Sequence, residues 1–273
     1  MKDYETLSET DWTQVEHIHD LMDEAELDDA RVAIDAMRAK RPAQADLRLL
    51  DAQLCLEEGD AQQALEVLRG AERAADPAEY FAVRAAASYD VVRFEDAQRD
   101  AEQALGIRPE YGYAWDLLSR VFEHLGDEEK SAEAADHAYA VDPEAFPLPL
   151  EVSNEDFDAL VEKALAEMPK RIAKQLEEFP VIVEDMPTRE MLTAEDPPLT
   201  PDLLGLFAGR HIFARSTSET PEAPGAIYLF RRNLLRACTD REELAHEVRI
   251  TVQHEIGHLM GLDEDELDDW GLA

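Results

Sequence analysis

The chain has 273 residues, 45% of them hydrophobic, enough for one large domain or two ordinary ones with real cores. Its 63 acidic residues against 26 lysines and arginines leave a formal charge of −37. That balance argues against nucleic acid and anionic membrane surfaces as partners, because their phosphates would be repelled. The acids are spread along the whole chain and read as a heavily solvated surface; the functional alternative is an acidic surface for basic clients. No apolar run reaches the roughly 18 residues of a membrane span, and Met1-Lys2-Asp3-Tyr4-Glu5 lacks the basic and apolar regions of a signal peptide. Cys55 and Cys238 stand far apart in apolar helical contexts. They read as core thiols, so the expectation is a soluble cytoplasmic protein.

Residues 11–146 carry an internal repeat. Ala30, Ala64, Ala97 and Ser131 recur at spacings of 34, 33 and 34, each a small residue at the start of a second helix. Pro42, Pro77, Pro109 and Pro143 fall nearly in step and close each unit where a helix must stop. Gly59-Asp60 and Gly126-Asp127 mark turns between paired helices. This period and pattern resemble the tetratricopeptide repeat, a helix-turn-helix unit of about 34 residues. The fourth unit fits through Trp115, Leu118, Phe122, Gly126, Ser131, Ala135, Ala138 and Pro143. The third has Val92 in place of the usual turn glycine, and the first is degenerate. Small alanines let neighbouring helices approach while larger apolar residues fill the gaps between stacked pairs. Trp115, Tyr111 and Tyr113 read as packing residues, with a peptide-binding patch as the alternative.

The repeat ends near residue 150, with Pro147 and Pro149 marking a linker. Ser153 or Asn154 caps a helix whose Phe157, Leu160, Val161, Ala164, Leu165 and Met168 make one apolar stripe. Pro169 bends or restarts it toward Ile172 and Leu176. Val181-Ile182-Val183 reads as a buried strand. Prolines 187, 197, 198, 201, 221 and 224 exclude long helices between 187 and 225. Within that stretch, Leu203–Phe207 and His211–Phe213 are apolar islands, read as a turn and a short strand. Ala226–Phe230 is the better strand. Thr239 and Glu242 suggest a capping box for a last long helix carrying Leu244, Val248, Thr251 and Val252.

That helix runs into His254-Glu255-Ile256-Gly257-His258-Leu259-Met260-Gly261. Histidines four residues apart share a helix face and can bind one metal ion, and Glu255 stands where it can take a proton from a water held there. The bland alternative is a pair of surface histidines on an acidic helix. Gly257 permits close approach of another segment, and Gly261 sits where a helix-ending left-handed residue is wanted. The short stretch after His258 leaves no room for a ligand from a distant downstream helix. A third ligand is therefore expected from the acidic tail, unless an upstream group supplies it. The extended pattern resembles that of metzincins, which use a histidine where Glu264 stands here; Asp265 and Asp263 are the alternatives. No downstream segment supplies a metzincin Met-turn. His17, His19, His124, His137 and His246 are weaker candidates.

The segment from about 153 to 270 resembles the small bacterial zincin-like metallopeptidase family, described as having a minimal matrix-metalloprotease-like domain. The likeness runs through Phe157-x-x-Leu160-Val161, Val181–Asp185, Leu204-Gly205-Leu206, Ile227–Arg232 and the HEIGHLMGLDEDEL end. It implies an α+β zincin core with Zn2+ on His254, His258 and a tail carboxylate, taken here as Glu264, and Glu255 as general base. The implied activity is hydrolysis of a peptide or protein substrate. A strand at 227–230 is expected to align the peptide by its edge, and Tyr228 and Arg231 are weighed as oxyanion donors against purely structural roles. The expected architecture is multidomain: an all-α tetratricopeptide-like repeat over 11–146, with a possible protein partner on its surface, then a small α+β zincin-like domain over 151–273. The alternative is a non-catalytic repeat scaffold with a structural zinc.

Overall fold

A computed structural model of the chain describes residues 7–168, 172, 174, 176, 179–208 and 225–259, with His258 and Leu259 described by backbone alone. The chain divides into two compact units, Met1–Pro147 and Leu148–Ala273.

The first unit is all helical. Eight helices form four antiparallel pairs: α1 (Glu9–Asp23) with α2 (Leu27–Lys40), α3 (Ala45–Glu57) with α4 (Ala61–Val67), α5 (Pro77–Asp90) with α6 (Phe94–Ile107), and α7 (Gly112–Leu125) with α8 (Glu128–Val141). The first helices of successive pairs also touch, α1 with α3, α3 with α5 and α5 with α7, which is the stacking of a tetratricopeptide-like array. The four small residues that carry the period, Ala30, Ala64, Ala97 and Ser131, are all buried.

Every pair turns by the same device. Ala25, Gly59, Val92 and Gly126 all have left-handed backbone, with φ of 58°, 77°, 62° and 76°. The next residue's N–H donates to the carbonyl five residues back: Glu26 to Leu21 at 2.8 Å, Asp60 to Cys55 at 2.7 Å, Arg93 to Ser88 at 2.8 Å and Asp127 to Phe122 at 2.9 Å. These are Schellman closures, which satisfy carbonyls a helix end leaves open. In the second and fourth pairs the closing aspartate also caps the next helix, Asp60 accepting from the Gln63 N–H and Asp127 from that of Lys130. Glu26 and Arg93 make no such side-chain cap.

Buried charge is paired. The Asp51 carboxylate, 1% exposed, bonds to Arg31 and Arg38, and Asp100 takes a two-pronged bond from Arg84 at 2.6 and 2.5 Å. Aromatic histidines fill gaps: His124 stacks on Phe94 at 4.3 Å and His137 on Trp115 at 4.4 Å. The Trp115 indole donates to the Pro109 carbonyl at 2.8 Å, a packing role. Cys55 and Cys238 are both free and buried. Among the described residues, no helix is long and apolar enough to cross a membrane.

The second unit is α+β. Ser153 caps α9 (Asn154–Ala166) by accepting from the Asp156 N–H at 3.1 Å. Three short strands, β1 (Val181–Glu184), β2 (Gly205–Ala208) and β3 (Ala226–Phe230), form a sheet of order β1-β3-β2. β1 runs parallel and β2 antiparallel to β3. α10 (Arg189–Leu192) is a single turn, α11 (Arg231–Ala237) follows β3 directly, and α12 (Arg241–Leu259) is the long final helix.

The core lies between α9, one face of the sheet and α12. Leu244, Val248, Val252 and Ile256, at successive steps of four, are all 0% exposed and meet Phe157 and Val161 of α9 and Ile227 and Leu229 of β3. That spacing is the apolar stripe of an amphipathic helix.

Several sequence expectations change here. β1 is half-buried rather than fully buried. Part of the expected turn at 203–207 is strand β2. The cap of α12 is Asp240, whose carboxylate accepts from the Glu242 and Glu243 N–H groups at 2.8 and 2.9 Å. Glu243, not Glu242, reaches back, to the N–H and hydroxyl of Thr239, both at 2.7 Å. The cap lies one residue later than expected, on an aspartate that suits the N-cap position, and Glu243 closes on the residue before it. α11 was not anticipated; it follows an apolar strand with no intervening turn signal. Pro169 and His211–Phe213 lie outside the described residues.

Candidate metal centre

The centre is built where α12 passes β2. Core residues take one stripe of the helix, which leaves Thr251, His254, Glu255 and His258 at positions i, i+3, i+4 and i+7 of an adjoining face. Thr251 is buried; His254 and Glu255 are half-buried. His258 occupies the position one turn beyond His254 in the same unbroken helix. Glu264, with its alternatives Asp263 and Asp265, lies outside the described residues, as does Gly261. Gly257 is buried. His246 is exposed, as are His17 and His19 in the repeat unit.

Gly205 lets the strand and helix close up. A Cβ at this position would lie 2.5 Å from Thr251 Cγ2 and 3.0 Å from the Tyr228 carbonyl oxygen. Contact that tight excludes any side chain. One turn along, Glu255 Oε2 accepts a hydrogen bond from the backbone N–H of Phe207 at 2.6 Å. In the antiparallel register Phe207 faces Ile227 and the Phe230 N–H bonds the Leu204 carbonyl. The Phe207 N–H therefore points away from β3, to the side of β2 that has no strand partner among the described residues. Glu255 fills that position, and the bond fixes the direction of its carboxylate. The Phe207 ring meets Phe179 edge-on at 5.4 Å, and Gly225 makes room for it, since a Cβ there would sit 2.6 Å from its Cζ.

Further contacts hold β2 in place. Asn233, buried at the start of α11, donates through its amide to the carbonyls of Pro201 at 2.9 Å and Leu203 at 2.8 Å. Arg231 pairs with Asp185, and the Arg232 N–H bonds the Asp185 carbonyl at 3.1 Å, tying the end of β1 to the same junction. At the other end of α12, the Thr239 hydrogen bonds hold the Glu243 carboxyl below its usual range. Burial pushes the Cys238 thiol up to about 11, with the nearby charges of Glu247, Glu243 and Asp240 adding to the effect.

One expectation about β3 is overturned. Strand 227–230 is the central strand, paired on both sides, so it has no edge to offer a peptide. Tyr228 alternates to the sheet face opposite the one that packs on α12, because Ile227 and Leu229 take the core side. Arg231 is engaged with Asp185. The roles of Gly205 and the Phe207 N–H went unread, although a glycine inside a short apolar run is itself a signal of close backbone approach.

The donor chemistry suits a borderline metal ion. Two imidazoles one helical turn apart with a neighbouring carboxylate are a zinc-type set. Among the described residues no group of three or more His, Cys, Asp and Glu side chains comes together; the expected third donor falls outside them.

Residues 176–272 match the family model described as Zincin-like metallopeptidase. No curated protein matches the chain. Among solved structures, one titled "Crystal structure of MamA" matches at 18% identity with a TM-score of 0.40, covering 45% of this chain and 73% of that one. The C-terminal part of this chain is a zincin-like metallopeptidase domain, preceded by a helical repeat unit.

Proposed function

We propose that the chain is a zinc-dependent metallopeptidase, a zincin-like domain over 151–273 joined to a partner- or substrate-binding repeat domain over 11–146. In this reading His254, His258 and Glu264 hold Zn2+ and Glu255 is the general base. The observation that carries it is the bond between Glu255 and the Phe207 N–H, beside His254 on the helix that the family match covers. A structural zinc site has no use for a carboxylate oriented by a strand N–H beside a metal ligand.

Zinc, when bound with one position open, acts as a Lewis acid and brings the pKa of a water there to about 7. The chain's own part is positioning and proton transfer. Glu255, aimed by the Phe207 N–H, accepts the proton of the water that attacks the scissile carbonyl and delivers it to the departing amine. The side of β2 away from β3, which has no strand partner among the described residues, takes the role first expected of β3, lining up an extended peptide next to Glu255 by backbone hydrogen bonds. The buried free thiols of Cys55 and Cys238 fit a reducing compartment such as the cytoplasm.

Metal analysis of the purified full chain tests the ligand set. We expect one zinc per chain, lost in His254→Ala and in His258→Ala. Glu264→Ala should lower zinc affinity more than Asp265→Ala. The reverse ranking moves the third ligand by one residue, and a chain that takes up no zinc rejects the reading.

A further inference from the structure

The repeat unit carries a second candidate site. The first helices of its pairs line two adjoining hollows of about 500 and 670 Å³ that share His19, Gln53 and Glu79. Each is of a size to take side chains of a bound ligand. Five carboxylates contribute to the lining; two of them are partly neutralised by Arg108, which pairs with Asp76 and lies 3.9 Å from Glu79. Of the five, Asp23 and Glu57 are exposed and make no hydrogen bond or ion pair within the described residues. Glu79 is committed, accepting from Tyr111 Oη and from Gln53 Nε2.

The walls are otherwise apolar and aromatic. Trp12, 41% exposed, opens onto one hollow and Tyr113 onto the other. Tyr113 is half-buried, and its hydroxyl makes no hydrogen bond within the described residues. Exposed indole and phenol faces attract cations, and the apolar walls accept the aliphatic stems of long basic side chains. The charges of Asp23 and Glu57, at the rim of apolar walls, attract an incoming cation and turn acidic ligands away.

We propose that this face docks an extended basic peptide segment in which arginine or lysine alternates with apolar residues. The proposal rests on the repeat half of the function above, as a partner surface, and gives it a chemical class. It does not depend on the peptidase half. Asp23 and Glu57 would meet the basic heads, while Trp12 and Tyr113 pack on their stems.

The test uses the full chain carrying Glu255→Ala, so that a bound peptide is not consumed. Fluorescence anisotropy would follow a labelled ten-residue peptide of alternating arginine and leucine, with a glutamate–leucine peptide as its counterpart. We expect saturable 1:1 binding of the basic peptide, weaker at high salt, and none of the acidic one. Asp23→Lys with Glu57→Lys should weaken binding by about tenfold or more. The same charge change on exposed α9 positions, Asp158→Lys with Glu162→Lys, should alter it by less than about twofold. Thermal unfolding checks that each variant folds; if the lysine pair does not, Asp23→Asn with Glu57→Gln should still weaken binding severalfold. Equal weakening by the groove and α9 pairs would reduce the effect to general acidity and overturn the proposal. So would no binding of the basic peptide, or binding of the acidic peptide as tightly. If the zinc-loaded wild-type chain cleaves no peptide while the basic peptide still binds, the peptidase reading fails and this one stands.

Discussion

The two units use their glycines differently. In the repeat unit one left-handed turn recurs four times, on Ala25, Gly59, Val92 and Gly126, and the fold accepts alanine and valine at positions that favour glycine. A solenoid distributes its stability over similar interfaces, so one strained turn is offset by its neighbours. The second unit has no such redundancy. Gly205 and the Phe207 N–H each occur once, at the place where β2 meets α12, and the orientation of Glu255 depends on both. Periodic structure tolerates local defects; a site assembled from single contacts does not.

Gly205→Ala gives the sharpest break. The new methyl overlaps Thr251 and the Tyr228 carbonyl, and overpacking of this kind costs about 1–3 kcal/mol. Unfolding of the second unit should shift accordingly, and the repeat unit should not. Peptide hydrolysis should fall further than stability alone explains, because Glu255 loses its anchor. Normal activity would show that the anchor is not needed.

The opposite change is expected in the repeat. Ala25→Gly with Glu26→Asp installs the Gly-Asp pair found at residues 59–60 and 126–127, removing left-handed strain and adding a helix cap. Denaturant unfolding should show a gain of about 1–2 kcal/mol. Gly126→Ala should cost about 1 kcal/mol, since it puts at the fourth turn what the first already tolerates. A much larger loss would contradict the idea that the turns are interchangeable.

The smallest effect is one of pH. Hydrogen bonds from Ser8, then Arg41, hold the Asp11 carboxyl at about 2, below its ordinary value. A lowered folded pKa contributes stability above the unfolded value, so the contribution should be intact above about pH 4 and lost toward pH 2. A titration of Asp11 by NMR beside acid melting of α1 checks it, and Ser8→Ala should raise the Asp11 midpoint.

The contrast also explains what could be read from the sequence. The repeat was legible because the same small residues, prolines and turn signals return every 33 or 34 positions, so that even Val92 could be recognised as standing in a glycine's place. The two histidines and Glu255 were legible because their spacing is local to one helix. β2 was not, because four residues beginning with glycine carry almost no strand signal. Its antiparallel pairing to β3, and thus which strand lies at the edge, is set by contacts distant in sequence. The bond from the Phe207 N–H to Glu255 leaves no mark on either side chain's pattern. Nor did the sequence settle the cap of α12 between Thr239 and Asp240, adjacent residues that both suit the N-cap position.

The most direct test is hydrolysis of an unbiased peptide library by the zinc-loaded full chain, wild type beside Glu255→Gln. We predict cleavage that a chelator abolishes and added zinc restores. The glutamine variant should keep stoichiometric zinc while losing about 10²–10⁴-fold in kcat/KM, the usual contribution of a general base. Stoichiometric zinc with no cleavage by the wild type, or equal rates from the two proteins, would contradict it.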